Sequence, residues 1–350
     1  MPNSGNSRPT IKDVARKADV SYATVSYILN DNKHAARISD ETKKRVLKAA
    51  RLLQYKSNPM GRALQRGYTN QVTLLIITWN LAISHAATAM AISRAAAACD
   101  LDVSVQVADT NEDAESFLQK RMLGNSGGLL VLWDSPALKK SCLQQLAAEG
   151  LAVVDLLPDA PVGISTVTAD REDAGKKAVE HLLKLGHKKI GVISDSVTRV
   201  KTSLRKVAGY KAALQEAGIA YDETLVENVK EFGFEGGYNG FRRLIKRHPD
   251  MTGLFCINDT IALGAITAGE DMWLRCPRDI SVVGFGDAPE STYWRPSLTT
   301  FSLSSDAVAA KCIELLVDFR KNPKPKTQAI LIPEELIIRG STGPAKPQKA

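Results

Sequence analysis

From Val72 onward, short apolar runs alternate with amphipathic stretches, and this narrows the possible architectures more than any other feature of the chain. Runs of strand length fall at 72–77, 103–107, 128–132, 152–155 and 164–167, then at 189–193, 225–229, 253–257 and 281–285. Helical patterns lie between them, for example at 173–185, 205–217, 236–247 and 260–269. Strand–helix alternation specifies parallel sheets covered by helices. Nine strands would make a long single sheet, so two sheets are expected. The body is therefore read as α/β, with two doubly wound parallel-sheet lobes.

The first seventy residues follow a different rule. They carry 14 Lys/Arg and 5 Asp/Glu, against 46 and 38 in the whole chain, whose net charge is +8. The whole positive excess therefore sits in the first fifth of the sequence. A basic head on a near-neutral body points to a nucleic-acid module joined to something else. A solvated basic surface is the plainer alternative.

The head has the pattern of three short helices. Thr10 followed by Asp13 has the form of a capping box. Ile11, Val14, Ala15 and Ala18 then recur at i, i+3, i+4 and i+7, one apolar helix face. Asp19-Val20-Ser21 interrupts this helix, and Ser21 can cap a second one at 22–29, with Val25, Ile28 and Leu29 inward. Asn30-Asp31-Asn32 is a turn cluster. Ser39 caps a third helix, 40–54, expected to turn Val46, Leu47, Ala50 and Leu53 inward. Two short helices about a tight turn, braced by a third, make an all-α helix-turn-helix head. The second helix would present Tyr22, Ala23, Thr24, Ser26 and Tyr27. Small side chains near its start let the backbone approach a major groove. Hydroxyls suit phosphates or base edges, and Ala or the Thr methyl suits a thymine methyl. A three-helix protein-binding module would share the helix pattern.

Residues 10–30, TIKDVARKADVSYATVSYILN, closely resemble the DNA-binding head of the LacI/GalR family of bacterial transcriptional regulators, and 39–55, SDETKKRVLKAARLLQY, resemble its third helix. Further family landmarks follow in order: HLLKLGHKKIGVI at 181–193, AGY at 208–210, NDTIA at 258–262, SVVGF at 281–285 and PSLTTF at 296–301. The resemblance runs over about residues 8–340. It implies a homodimeric transcriptional regulator, expected to be a repressor, that binds double-stranded operator DNA, and a body like periplasmic sugar-binding proteins with a small-molecule effector between its lobes. It implies DNA contacts from Thr10, Ser21, Tyr22, Ala23, Thr24, Ser26, Tyr27 and Asn30. In 57–71 it implies a hinge helix and linker in which Asn58, Met60, Arg62 and Leu64 contact DNA, Leu64 as a minor-groove wedge. A plain linker is the alternative there. The head shows several departures. Asp19 stands where Gly or Asn is usual in the turn. Tyr27 replaces a base-reading Arg or His. The loop 31–37, with Lys33, His34 and Arg37, is about three residues longer. Gly61 stands where the hinge usually has Ala.

The resemblance divides the chain into a disordered start at 1–9, a head at 10–56, the hinge, and a core at 72–340. One lobe takes about 72–168 and 302–326, the other about 169–301 and 327–340. Residues 341–350 are expected to form a disordered tail. In open α/β sheets, ligands sit at the carboxyl ends of strands. Here those ends offer Trp79, Ser84, His85, Trp133, Asp134, Asp170, Arg171, Asp259 and Asp287. Aromatic faces with carboxylates and hydroxyls suit sugar rings and would also suit a nucleobase. Lys206 stands where the family binds effector with Arg, and it cannot reproduce the bidentate fork; Arg205 beside it could, if it points inward. Gly286 replaces an effector-binding Asp.

Five dispersed cysteines form no C-x-x-C pair, so neither a zinc cluster nor a disulfide framework is indicated, and they are read as reduced, mostly buried residues. No cofactor or metal is implied. The polar start lacks the apolar core of a secretory signal, and no run approaches the ~18 apolar residues of a membrane span, so a cytoplasmic location is expected. The absence of a G-x-x-x-x-G-K phosphate loop weighs against an enzyme with a DNA-binding head. Two other readings stay open: the same regulator without a small effector, and a ligand-binding protein that does not touch DNA.

Overall fold

The computed structural model describes residues 9–29, 33–55, 69–77, 83–121, 126–133, 140–156, 163–195, 201–231, 233–322 and 326–346. The expected disordered start, apart from Pro9, and nearly all of the expected hinge lie outside these residues. The chain separates into two compact units: residues 1–70 with 124–127, and the rest.

In the first unit, α1 (Ile11–Ala18), α2 (Tyr22–Leu29) and α3 (Asp40–Leu52) enclose a core of Val14, Ala15, Ala18, Val25, Val46, Ala49 and Ala50. Side chains satisfy the helix starts. Asp13 accepts from the Thr10 N–H at 2.9 Å and hydroxyl at 2.7 Å, which holds its carboxyl below the ordinary carboxylate range. Ser21 Oγ accepts from Thr24 N at 3.1 Å, and Ser39 Oγ from Thr42 N at 3.3 Å. Such caps satisfy otherwise orphaned amides. Asp19 occupies the left-handed region (φ 51°, ψ 56°), so the turn survives without Gly. Leu47, expected inside, is 44% exposed. The inward stripe of α3 runs 46, 49, 50, and residue 47 lies about 100° around the helix from 46.

The second unit contains two lobes. The first is a six-stranded sheet in the order β11-β5-β4-β3-β1-β2, all parallel. Its strands are β1 (Gln71–Ile77), β2 (Asp102–Ala108), β3 (Leu129–Trp133), β4 (Val153–Leu156), β5 (Ser165–Ala169) and β11 (Ala329–Ile332). Strand alternation sends Leu74 and Ile76 to one face, and Leu75 and Ile77 to the other. On the first face, α4 (Ile83–Ala97) contributes Ile92 and Ala96, and α12 (Ser305–Lys321) contributes Val308, Cys312 and Leu316. On the second, α5 (Asn111–Arg121) contributes Leu118 and α6 (Lys140–Ala148) contributes Leu143.

The second lobe is a four-stranded parallel sheet, β7-β6-β8-β9. It comprises β6 (Ile190–Asp195), β7 (Val226–Val229), β8 (Gly253–Cys256) and β9 (Ser281–Val283). Helices α7 (Arg171–Lys184) and α8 (Lys201–Glu216) cover one face around Tyr210 and Phe255. Helices α9 (Phe234–Arg247) and α10 (Asp259–Asp271) cover the other around Phe241 and Leu254. A short helix, α11 (Pro289–Tyr293), follows β9.

An antiparallel pair, β10 (Thr300–Leu303) with β12 (Glu334–Ile337), runs between the lobes. The chain crosses at Asp170, Ser304 and Pro333. The third crossing was expected near Lys326. It falls later because β11 pairs with β5, Ala329 opposite Thr166, and so belongs to the first lobe.

The segment 341–346, expected to be disordered, is stitched to the second lobe. Ser341 donates its hydroxyl to Val282 O at 2.6 Å, accepts Val282 N at 2.9 Å on its carbonyl, and accepts Thr299 N at 2.8 Å on Oγ. Two histidines hold the next residues. His181 Nε2 is 3.0 Å from Thr342 Oγ1. His187 Nε2 donates to the Gly343 carbonyl at 3.0 Å, which leaves Nδ1, 3.0 Å from Thr252 Oγ1, to accept. The polar composition of the tail gave no hint that its hydrogen bonds complete the rim of β9.

Burial holds both histidines below the ordinary imidazole pKa; Lys184 adds to this for His181, and the Gly343 carbonyl opposes it for His187. Lowered pKa values mean the unfolded chain binds more protons. Their contribution to stability is complete above about pH 6.5 and is lost as pH falls through the folded-state values. Thermal unfolding followed from about pH 7.5 to pH 5.5 should show a falling midpoint, and His187→Gln should flatten the slope. An unchanged slope would remove His187 from this role.

Among the described residues, no helix is long and apolar enough to cross a membrane, and no group of three His, Cys, Asp or Glu could hold a metal ion. All five cysteines are free. Cys256 and Cys312 are buried, Cys142 and Cys276 half-buried, and Cys99 exposed, so burial is less general than expected.

Candidate functional site

The exposed face of α2 starts at a fixed point. Ser21 Oγ caps the helix and lies 2.9 Å from Thr24 Oγ1, so two hydroxyls cluster at its N-terminus. Tyr22, Ala23 and Tyr27 are exposed, while Thr24 and Ser26 are half-buried. Val25 is fully buried and sets the rotation of the helix. A 3-10 turn, Lys33–Arg37, brings His34 against Tyr27, with ring centroids 5.2 Å apart and planes tilted 43°. The longer loop thus braces the outward Tyr27, which sequence reasoning did not anticipate. Arg37 is exposed on the same turn. Thr10 is engaged by Asp13 at the start of α1. Asn30, Asn58, Met60, Arg62 and Leu64 lie outside the described residues.

In the body, the proposed ligand residues separate into two groups. Those of the first lobe are scarcely described: Trp79 and Asp134 lie outside, Ser84 lies in α4, Trp133 ends β3, and His85 is buried on α4.

The second lobe presents a built wall. Lys206 is 8% exposed; its Nζ donates to Ile257 O at 2.8 Å and stands 3.8 Å from the Phe285 ring centroid. Its backbone is placed by contact with α7, since a Cβ on Gly175 would lie 2.3 Å from Lys206 O. Arg205 is exposed, so it does not supply the inward guanidinium. Asp170 caps α7, accepting Asp173 N at 3.0 Å. Asp287 has φ 51° and receives Arg339 Nη2 at 2.6 Å. Asp259 is buried, accepting Ala288 N at 2.7 Å, Ser291 Oγ at 2.9 Å and the Thr300 hydroxyl. Burial raises its carboxyl above the ordinary range; these three donors oppose the rise and the Asp287 charge adds to it. Gly286 sits at φ +125° with its N–H on Phe301 O at 2.8 Å. A side chain there would be strained, so the missing carboxylate goes with a loop shaped for glycine.

The wall also contains residues that sequence reasoning did not connect with it: Glu334, which pairs with Arg171, together with Phe285 and Arg339. Their partners lie far away in sequence, so no local spacing marks them.

Comparison with known proteins adds a second line of evidence. Residues 10–58 match the domain family described as bacterial regulatory proteins, lacI family, and residues 179–342 match the periplasmic binding protein-like domain. The chain is 30% identical over 337 residues to the HTH-type transcriptional repressor PurR of Mannheimia succiniciproducens, covering 95% of this chain and 98% of the repressor. It is 29% identical over 341 residues to catabolite control protein A of Priestia megaterium, covering 95% and 99%. Its fold matches the lac repressor dimer bound to operator and the anti-inducer ONPF, with a TM-score of 0.81 at 23% identity, over 96% of this chain and 100% of that one. It also matches the CelR–cellobiose complex, with a TM-score of 0.70 at 24% identity, over 95% and 100%.

Proposed function

The chain belongs to the LacI family of bacterial regulatory proteins, and on that premise we propose that it represses transcription as a homodimer on a roughly palindromic operator, under the control of a small effector in the cleft between its lobes. The observation that carries this reading is the exposed face of α2. Tyr22, Ala23 and Tyr27 point outward from a helix capped at its start by Ser21 and locked by Val25. A helix with small residues at its N-terminal end fits a major groove. Two heads on a twofold axis would read two half-sites.

The effector reading rests on the second-lobe wall and on the relatives. Most of the described charged groups there are already tied to other protein groups: Lys206 to a carbonyl, Asp287 to Arg339, Asp259 to three donors. That arrangement favours a neutral, hydroxyl-rich occupant such as a sugar over a strongly ionic one. An effector that prefers one lobe arrangement shifts the population, and DNA affinity with it.

The test is selection of binding sites from random duplex DNA by the full-length protein, followed by titration of the recovered duplex against sugars, sugar phosphates, sugar acids and nucleobases. A twofold-symmetric site with steep salt dependence is expected, and one of these compounds should change its affinity by about tenfold. Tyr27→Ala should relax selection at one position of each half-site. Recovery of no symmetric site would overturn the DNA reading. A recovered site that ignores every compound would leave the regulator without the proposed effector.

A further inference from the structure

Three connections carry the chain between the lobes, and a buried ion pair pins two of them together. Strands β5 and β11 are neighbours in the first sheet, with Ala169 opposite Ile332. Two residues further on, each connection presents a charged side chain. Arg171 Nη1 and Glu334 Oε1 form an ion pair whose side chains are 13% and 1% exposed. The Arg171 guanidinium also lies 5.2 Å from the Phe285 ring centroid, the same ring that Lys206 approaches. Phe285 stacks on Phe301 at 5.6 Å and 15°, and Phe301 lies in β10, the strand that leads into the second connection, at Ser304. All three crossings and Lys206 of the ligand wall therefore meet in one cluster.

Stability alone gives little reason for such a pair. Taking two charges out of water costs several kcal/mol per ion, and an apolar pair of similar volume is often as stable or more so. Glu334 Oε2 is buried with no hydrogen-bond partner among the described residues, so the carboxylate is only half satisfied. Burial raises the Glu334 carboxyl, against the pull of the Arg171 and Lys206 cations, and Asp170 adds to the rise. What the pair does provide is a fixed distance. A guanidinium–carboxylate contact has directional geometry, and here it ties the first crossing to the third.

We infer that Arg171 and Glu334 are positioning residues that latch two of the three crossings, hold the lobes at one angle, and so set the state in which the cleft and the DNA-binding head are coupled. The coupling to DNA rests on the function proposed above, whereas the latch itself does not. An occupant of the cleft that disturbs Lys206 would be felt at Phe285 and hence at the pair.

The experiment uses full-length protein carrying Arg171→Met with Glu334→Leu, which replaces the pair by apolar side chains and leaves no lone buried charge. Lys189→Met, which breaks an exposed pair with Asp250 in the second lobe, is the control. The double variant should melt within a few degrees of the parent. Its amide hydrogen exchange in peptides spanning 169–172, 302–305 and 332–335 should accelerate by about tenfold. Its affinity for the selected operator should change by about tenfold, while the control leaves both unchanged. Parent-like exchange across the crossings in a folded double variant would overturn the latch. Faster exchange with unchanged operator affinity would overturn its link to DNA. Should the parent protein select no operator, the function proposed above fails, and the exchange measurement still decides the latch.

Discussion

Asp259→Ala is expected to cost about 3–5 kcal/mol of second-lobe stability. The carboxylate is 2% exposed and accepts the Ala288 amide and the hydroxyls of Ser291 and Thr300. Alanine would leave all three donors without an acceptor in a place water does not reach. These donors come from the loop after β9, from α11 and from β10, so Asp259 ties three segments together. At roughly 2–4 °C per kcal/mol for a unit of this size, the melting midpoint should drop by about 10 °C. Asp259→Asn should cost less, since one acceptor oxygen remains. A midpoint unchanged by Asp259→Ala would mean that the loop finds other partners.

Gly209→Ala is expected to lower stability by about 3 kcal/mol, at the upper end of the cost of overpacking. A Cβ at this position would lie 2.0 Å from Glu172 O and 2.5 Å from Lys176 N. Both contacts are backbone, so no side chain can swing aside, and α7 and α8 must separate. Gly175 makes the reciprocal approach to Lys206. Spreading the helices would therefore also draw Lys206 away from Ile257 O, and affinity for the effector proposed above should fall along with the melting midpoint. Gly218→Ala is the contrast: its φ is +69° and nothing lies within 4 Å, so the strain is that of one left-handed residue, about 1 kcal/mol. Equal effects at Gly209 and Gly218 would show that backbone conformation matters here and helix approach does not.

Much of the architecture was legible because it is written in local patterns. The caps at Ser21 and Ser39, the Val14–Ala15–Ala18 face and the alternation of strands with helices all follow from spacing within one element. What escaped depends on partners distant in the chain. Strands β10, β11 and β12 have four residues each, no fewer than β4, β7 and β8, but β10 pairs antiparallel with β12 and β11 leads into β12 with no helix between, so they stand outside the strand–helix alternation. Strand β11 finds its place only by pairing with β5, some 160 residues earlier. For Lys206 and Arg205, neighbours on α8, one residue of rotation decides which side chain enters the wall, and the approach of Gly175 sets that rotation. The Arg171–Glu334 pair joins residues 163 apart and has no local signature.

Neither lobe is a continuous stretch of chain, and this governs the order in which the protein can be made. The first sheet lacks its β11 edge and its α12 cover until residue 332 has been synthesised. The second lobe lacks β12 and the Ser341 bonds to Val282 until nine residues later. A nascent chain that has left the ribosome as far as residue 300 has helices for both faces of the second sheet but a half-covered first sheet, with Leu74, Ile76 and Val154 facing water where α12 will lie. The helical head, whose core closes within residues 11–55, has no such wait. Synthesis therefore delivers a folded head well before either lobe can close, and a ribosome stalled before residue 305 would carry a head with neither lobe of its body finished.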